Sequence, residues 1–134
     1  MQNMELYNIE ATAKTPYVNL NPKTGEMVLQ GRSIPGDVDQ FWSPILSWFY
    51  AYSYAPAKHT QVTVHLEYFN ITTSKRLMYL LNKMHEMHQA GHSIKIDWLY
   101  YKNDEDMKEV GMDYSSLTKI PFNLVPVEEE MVLK

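Results

Sequence analysis

The stretch QVTVHLEYFNITTSKRLMYLLNKMHEMHQAG, residues 61–91, changes its period in the middle. Through Phe69 the pattern alternates, with Val62, Val64, Leu66 and Tyr68 on one face and Thr63, His65, Glu67 and Phe69 on the other. That is the period of a strand. From about Thr72 the spacing becomes three and four, and Leu77, Leu80, Leu81, Met84 and Met87 or His88 form one stripe. This predicts an amphipathic helix to Ala90, with Gly91 as the residue that ends it. A strand running straight into such a helix points to an α/β fold.

The pattern extends in both directions. Downstream, SIKIDWLYY (93–101) is a strand with Ile94, Ile96, Trp98 and Tyr100 on one face, Asp104–Gly111 is a short helix, and PFNLVPV (121–127) is a last strand. Upstream, Tyr17, Val18 and Leu20 open a strand, Asn21 to Gly25 turn the chain, Met27 and Leu29 return it, and Gly31, Pro35 and Gly36 end it. Between them DVDQFWSPILSWFYAYSYAP (37–56) places Val38, Trp42, Ile45, Phe49 and Tyr52 on one helical face, with Asp37 or Asp39 as N-cap. Pro44 removes a helix hydrogen bond, so the helix is expected to begin near Trp42 or Ser43 after a separate short turn. The expected order is β-β-α-β-α-β-α-β. It makes one α/β domain over residues 1–134: a mixed sheet with an opening antiparallel hairpin and helices packed against it. Residues 1–13 read as a loose lead-in and 128–134 as a solvated tail.

Composition removes several function classes. The absence of cysteine excludes a disulfide scaffold, thiolate-bound zinc and a thiol nucleophile. Twelve basic residues are scattered among sixteen acidic ones, a net charge of −4, which argues against nucleic-acid binding. MQNMELYNIEATAK has no signal-peptide pattern and no apolar run is long enough to span a bilayer, so a cytoplasmic setting away from membranes is expected.

His85, His88 and His92 gather near one helix end, but HEMH is not a zinc-protease pattern, and a polar helix end explains them without a metal. Asp104, Glu105, Asp106 and Glu109 lack the glycine and glutamate positions of a calcium loop and read as an acidic helix start. No nucleophile elbow, phosphate loop or dinucleotide loop occurs, so neither catalytic residues nor a cofactor is expected. Asn70-Ile71-Thr72 fits the glycosylation pattern but sits at a strand–helix junction without a secretory signal. One helix face cannot absorb all the aromatics of FWSPILSWFYAYSY. Trp48, Tyr50 and Tyr54 are left as a candidate partner surface, with broad burial the other reading.

The junction itself carries three hydroxyls, Thr72, Thr73 and Ser74, followed by Lys75 and Arg76. Asn70 or Thr72 capping the helix accounts for part of this. A helix N-terminus also offers free N–H groups and the positive dipole end, which would stabilise a phosphoryl group there, with Lys75 and Arg76 within reach.

Five segments in this order resemble the SiaC family of bacterial regulatory phosphoproteins, small STAS-like domains: TP at 15–16, GEMVLQGRSIP at 25–35, LEYFNITTSK at 66–75, HQAGHSIKIDWLY at 88–100 and DEDMKEVG at 104–111. The resemblance implies a non-enzymatic protein. A dedicated Ser/Thr kinase would phosphorylate it and a metal-dependent phosphatase reset it, and its unmodified form would activate a diguanylate cyclase, raising cyclic di-GMP and promoting biofilm or aggregation. The family commonly reads Asn-Thr-Ser-Ser after the aromatic strand end, with the first Thr as acceptor. Here that position is Ile71, which has no hydroxyl. The resemblance therefore leaves Thr72, Thr73 or Ser74 as acceptor, Asn70, Lys75 and Arg76 as phosphate or partner contacts, or a switch lost to constitutive binding. A small ligand- or metal-binding domain built on the histidine-rich helix end is the remaining alternative.

Overall fold

The computed structural model describes residues 4–129. One six-stranded sheet runs in sequence order: β1 (Tyr7–Ile9), β2 (Tyr17–Leu20), β3 (Glu26–Ser33), β4 (His59–Phe69), β5 (Ser93–Tyr101) and β6 (Phe122–Val127). The first three strands pair antiparallel and β3 to β6 pair parallel. The parallel connections are α1 (Val38–Tyr52), α2 (Ile71–Gln89) and α3 (Glu105–Thr118). Because each crossover joins adjacent strands in the same direction, the right-handed rule puts all three helices on one face of the sheet.

The register carries that asymmetry. Val18, Leu29, Val64, Trp98 and Leu124 lie side by side across five strands, as do Asn19, Val28, Thr63, Asp97 and Asn123 in the next row. The first row, apart from half-buried Leu124, is buried under the helices with Trp42, Ile45, Phe49, Leu77, Leu81 and Met84. The second is half-buried or exposed and, apart from Val28, polar, and there Asp97 accepts from both Gln61 and Asn123. An alternating strand with one covered face is what the period-two pattern predicts.

Four expectations are corrected. The lead-in is not loose throughout: Tyr7–Ile9 form β1 on the hairpin, and the indole N–H of Trp48 donates to the Glu5 carbonyl at 2.9 Å. Residues 1–3 and 130–134 of the expected lead-in and tail lie outside the described residues. The third helix does not stop at Gly111 but runs on to Thr118. α1 is continuous from Val38, with Pro44 inside it. The carbonyl that Pro44 leaves unpaired belongs to exposed Gln40, where water can replace the lost donor. Finally, Tyr68 does not join Val62, Val64 and Leu66 in the core. The β3–β4 register slips between Gly31 and Arg32, so that Gly31 faces Leu66 and Arg32 faces Tyr68. The extra residue, Glu67, reverses the alternation. Tyr68 turns to solvent, and Phe69 packs edge-on against Trp98.

Candidate functional site

The register slip delivers the end of β4 to the start of α2. Asn70 stands at the N-cap in extended conformation, and its side-chain oxygen accepts from the N–H of Thr73 at 3.0 Å. The same oxygen accepts from the Thr72 hydroxyl at 2.9 Å. The N–H of Ser74 reaches the Asn70 carbonyl, the first regular helix bond. The N–H groups of Ile71 and Thr72 have no acceptor among the described residues, as the first turn of a helix requires.

The three hydroxyls have three different environments. Thr73 is fully buried. Its hydroxyl donates to the Ser33 carbonyl at 3.1 Å and lies 2.9 Å from the Ser33 hydroxyl, which also accepts the indole N–H of Trp42. If Ser33 donates to Thr73, every polar proton of this buried set has a partner, and the set ties β3, α1 and α2 together. Ser74 is half-buried and donates to the Ile71 carbonyl at 2.7 Å. Thr72 is exposed, and Ile71 beside it is 76% exposed. Ser33 and Trp42 were not foreseen as parts of this junction. The burial of Thr73 did have a sequence signal, because Thr73 extends the Leu77, Leu80, Leu81, Met84 stripe four residues back.

Thr72, Arg76, Tyr79 and Lys83 recur at spacings of four, three and four, so they share the side of α2 that faces α1. The Arg76 guanidinium bonds the Asp39 carboxylate in the first turn of α1. Asp39 is 69% exposed, and a surface pair of this kind contributes about 0–1 kcal/mol. Lys75 is exposed. Farther along, Lys83 sits 4.7 Å from the centre of the Tyr50 ring, and the Tyr50 and Tyr54 hydroxyls are 2.8 Å apart. A groove of about 490 Å³ is lined by Ser43, Leu46, Ser47, Tyr50 and Tyr79. Tyr50 and Tyr54 therefore face outward together. Trp48, two residues from Tyr50, points away from them, stacked on Tyr52 at 5.2 Å and bonded to Glu5.

Behind the junction, the Tyr114 hydroxyl of α3 donates to the Ser74 carbonyl at 3.3 Å. Burial pushes its pKa up to about 12, above the ordinary 10. The unfolded chain then binds fewer protons than the folded one between about pH 10 and 12, so stability falls as pH rises through that window. Tyr114→Phe should lose less stability than the parent between about pH 9 and 12, read by urea unfolding at each pH.

The histidines do not converge. Among the described residues no three His, Asp or Glu side chains are placed to hold a metal. His92 donates its backbone N–H to the Met87 carbonyl beyond Gly91, a helix-ending role. Asp104 caps α3 through the N–H of Met107, with Glu105 and Asp106 in the first turn. No helix among the described residues is long and apolar enough to cross a membrane.

The profile of the family described as SiaC family regulatory phosphoprotein matches residues 9–127. A Pseudomonas aeruginosa protein, itself uncharacterized, is 22% identical over 122 residues, covering 91% of this chain and 97% of its own. Apo-SiaC from the same organism superposes with a TM-score of 0.84 at 21% identity, covering 92% of this chain and all of the other. A second SiaC structure, determined in complex with the diguanylate cyclase SiaD that it activates, gives 0.86 at 21% identity, over 90% and 99%. At this identity the superpositions speak to the fold.

Proposed function

This chain belongs to the SiaC family of regulatory phosphoproteins, and from that premise we propose that it is a non-enzymatic cytoplasmic switch that activates a diguanylate cyclase. In its unmodified form it binds the cyclase through the α1–α2 face. A Ser/Thr kinase phosphorylates Thr72 and abolishes that binding, and a metal-dependent phosphatase restores it. Cyclic di-GMP, and with it biofilm formation or aggregation, follows the unmodified fraction. The observation that carries this reading is the single stripe Thr72, Arg76, Tyr79 and Lys83. It sets an exposed hydroxyl on the same helix face as the tyrosine groove, so that a dianionic group would repel or misalign a partner seated there.

A second reading rests on Ile71. An exposed apolar side chain at the family's acceptor position suits a module that binds without being switched. Mixing the chain with its cognate cyclase and GTP separates the two. Both readings expect cyclic di-GMP synthesis to rise when the unmodified chain is added. The switch expects Thr72→Glu to lose most of that rise, and the constitutive module expects Thr72→Glu to keep it. No rise with the unmodified chain would overturn both.

A further inference from the structure

Thr72 and Arg76 are four residues apart on α2 and stand one above the other on the same helix face. In the unmodified chain Arg76 reaches across to Asp39 in the first turn of α1. It is the one ion pair among the described residues that joins these two helices. Asp39 is largely exposed, so water screens the pair and holds it loosely. Only one guanidinium nitrogen is engaged, although Arg76 carries five N–H donors in a fork suited to paired phosphate oxygens.

Phosphorylation of Thr72 replaces its hydroxyl proton, lost to the kinase's base, with the γ-phosphoryl group of ATP, and ADP departs. The new group brings three acceptor oxygens and nearly two negative charges to within one turn of Arg76. We propose that the phosphate draws Arg76 off Asp39 and so releases the Asp39 carboxylate at the head of α1. This rests on Thr72 being the acceptor. Asp39, Ser43, Leu46 or Ser47, and Tyr50 recur at helical spacing, so Asp39 heads the α1 stripe that lines the groove. One modification then changes two places: the start of α2 gains a phosphate partly neutralised by Arg76, and the head of α1, one turn from groove-lining Ser43, gains a free carboxylate.

The test uses the full chain with phosphothreonine genetically encoded at position 72, so it does not depend on any kinase. The second pKa of the phosphate, ordinarily about 6, is read by phosphorus NMR titration. Arg76→Gln should raise it by about half a unit. Asp39→Asn should lower it by a few tenths of a unit, because Arg76 is then free for the phosphate, and this effect should vanish in the Arg76→Gln background. Lys75 is the other cation within a turn, and Lys75→Gln should raise the value equally with or without Asp39. An unchanged pKa in Arg76→Gln, or an Asp39→Asn effect that persists without Arg76, overturns the exchange. A kinase that fails to modify Thr72 would overturn the acceptor assignment instead and would leave the outcome of this titration standing.

Discussion

Thr72→Ala is expected to abolish phosphate incorporation by the cognate kinase, while Thr73→Val leaves incorporation intact and destabilises the fold. The two residues are adjacent and chemically alike, and burial separates them. The Thr72 hydroxyl is exposed and bonded only to the side chain of its own N-cap, so a kinase can reach it at the cost of one surface hydrogen bond. The Thr73 hydroxyl has no exposure and is held by both the carbonyl and the hydroxyl of Ser33. To modify it, the first turn of α2 would have to open and part from β3 and Trp42. Removing that hydroxyl strands buried partners, a loss of about 1–3 kcal/mol. Ser74 is the remaining rival. Its hydroxyl turns back to the Ile71 carbonyl and is half-buried, so Ser74→Ala should change incorporation little. Phosphopeptide mapping by mass spectrometry, with urea unfolding of each variant, reads both halves. Incorporation that survives in Thr72→Ala would reject the assignment.

Gly111→Ala should destabilise the protein although alanine is the better helix former. At an ordinary helix position the exchange gains about 1 kcal/mol. Here an added Cβ would lie 2.5 Å from Trp98 Cδ1 and 2.7 Å from both Trp98 Nε1 and Leu124 Cδ2. The indole cannot move aside easily. Its N–H donates to the Met107 carbonyl at 3.1 Å, and Phe69, Tyr114 and Phe122 pack around it. Overpacking at a site this rigid outweighs the propensity gain, with a net loss of about 1–2 kcal/mol for alanine and about 3 or more for Gly111→Val. Gly36→Ala is the control, since a Cβ there meets nothing within 4 Å, and its effect should stay within about 0.5 kcal/mol. The consequence reaches the junction, because lifting α3 off the sheet also withdraws Tyr114 from Ser74. Denaturant midpoints for the three variants decide the matter, and a stabilised Gly111→Ala would show that α3 seats more loosely than its contacts with Trp98 indicate.

Where a segment was long enough to show its period, the sequence was readable. The switch from period two to period 3.6 between Phe69 and Thr72 locates β4 and α2 to within a residue or two, and the same logic places β5 and α1's buried face. Three features escaped, the first two because they depend on partners distant in sequence. β1 is three residues long, too short to carry a period, and exists because the hairpin offers an edge. The slip at Glu67 is set by how β3 passes Gly31, and nothing in QVTVHLEYF announces it. Pro44 was read by its intrinsic cost, which an exposed helix face can absorb. The junction was legible as a place, since hydroxyls and cations after a strand end mark a helix start. Which hydroxyl faces out follows from the phase of the core stripe. That Ser33 and Trp42 lock the inner one follows only from the packed fold.

In the proposed switch, the state of Thr72 decides whether the chain activates a diguanylate cyclase. The most direct measurement is the rate of cyclic di-GMP synthesis by the cognate cyclase, titrated with unmodified chain and with chain carrying phosphothreonine at position 72. Strong activation is expected from the first, and an affinity at least tenfold weaker, about 1.4 kcal/mol or more, from the second. Equal activation by the two forms would contradict the switch.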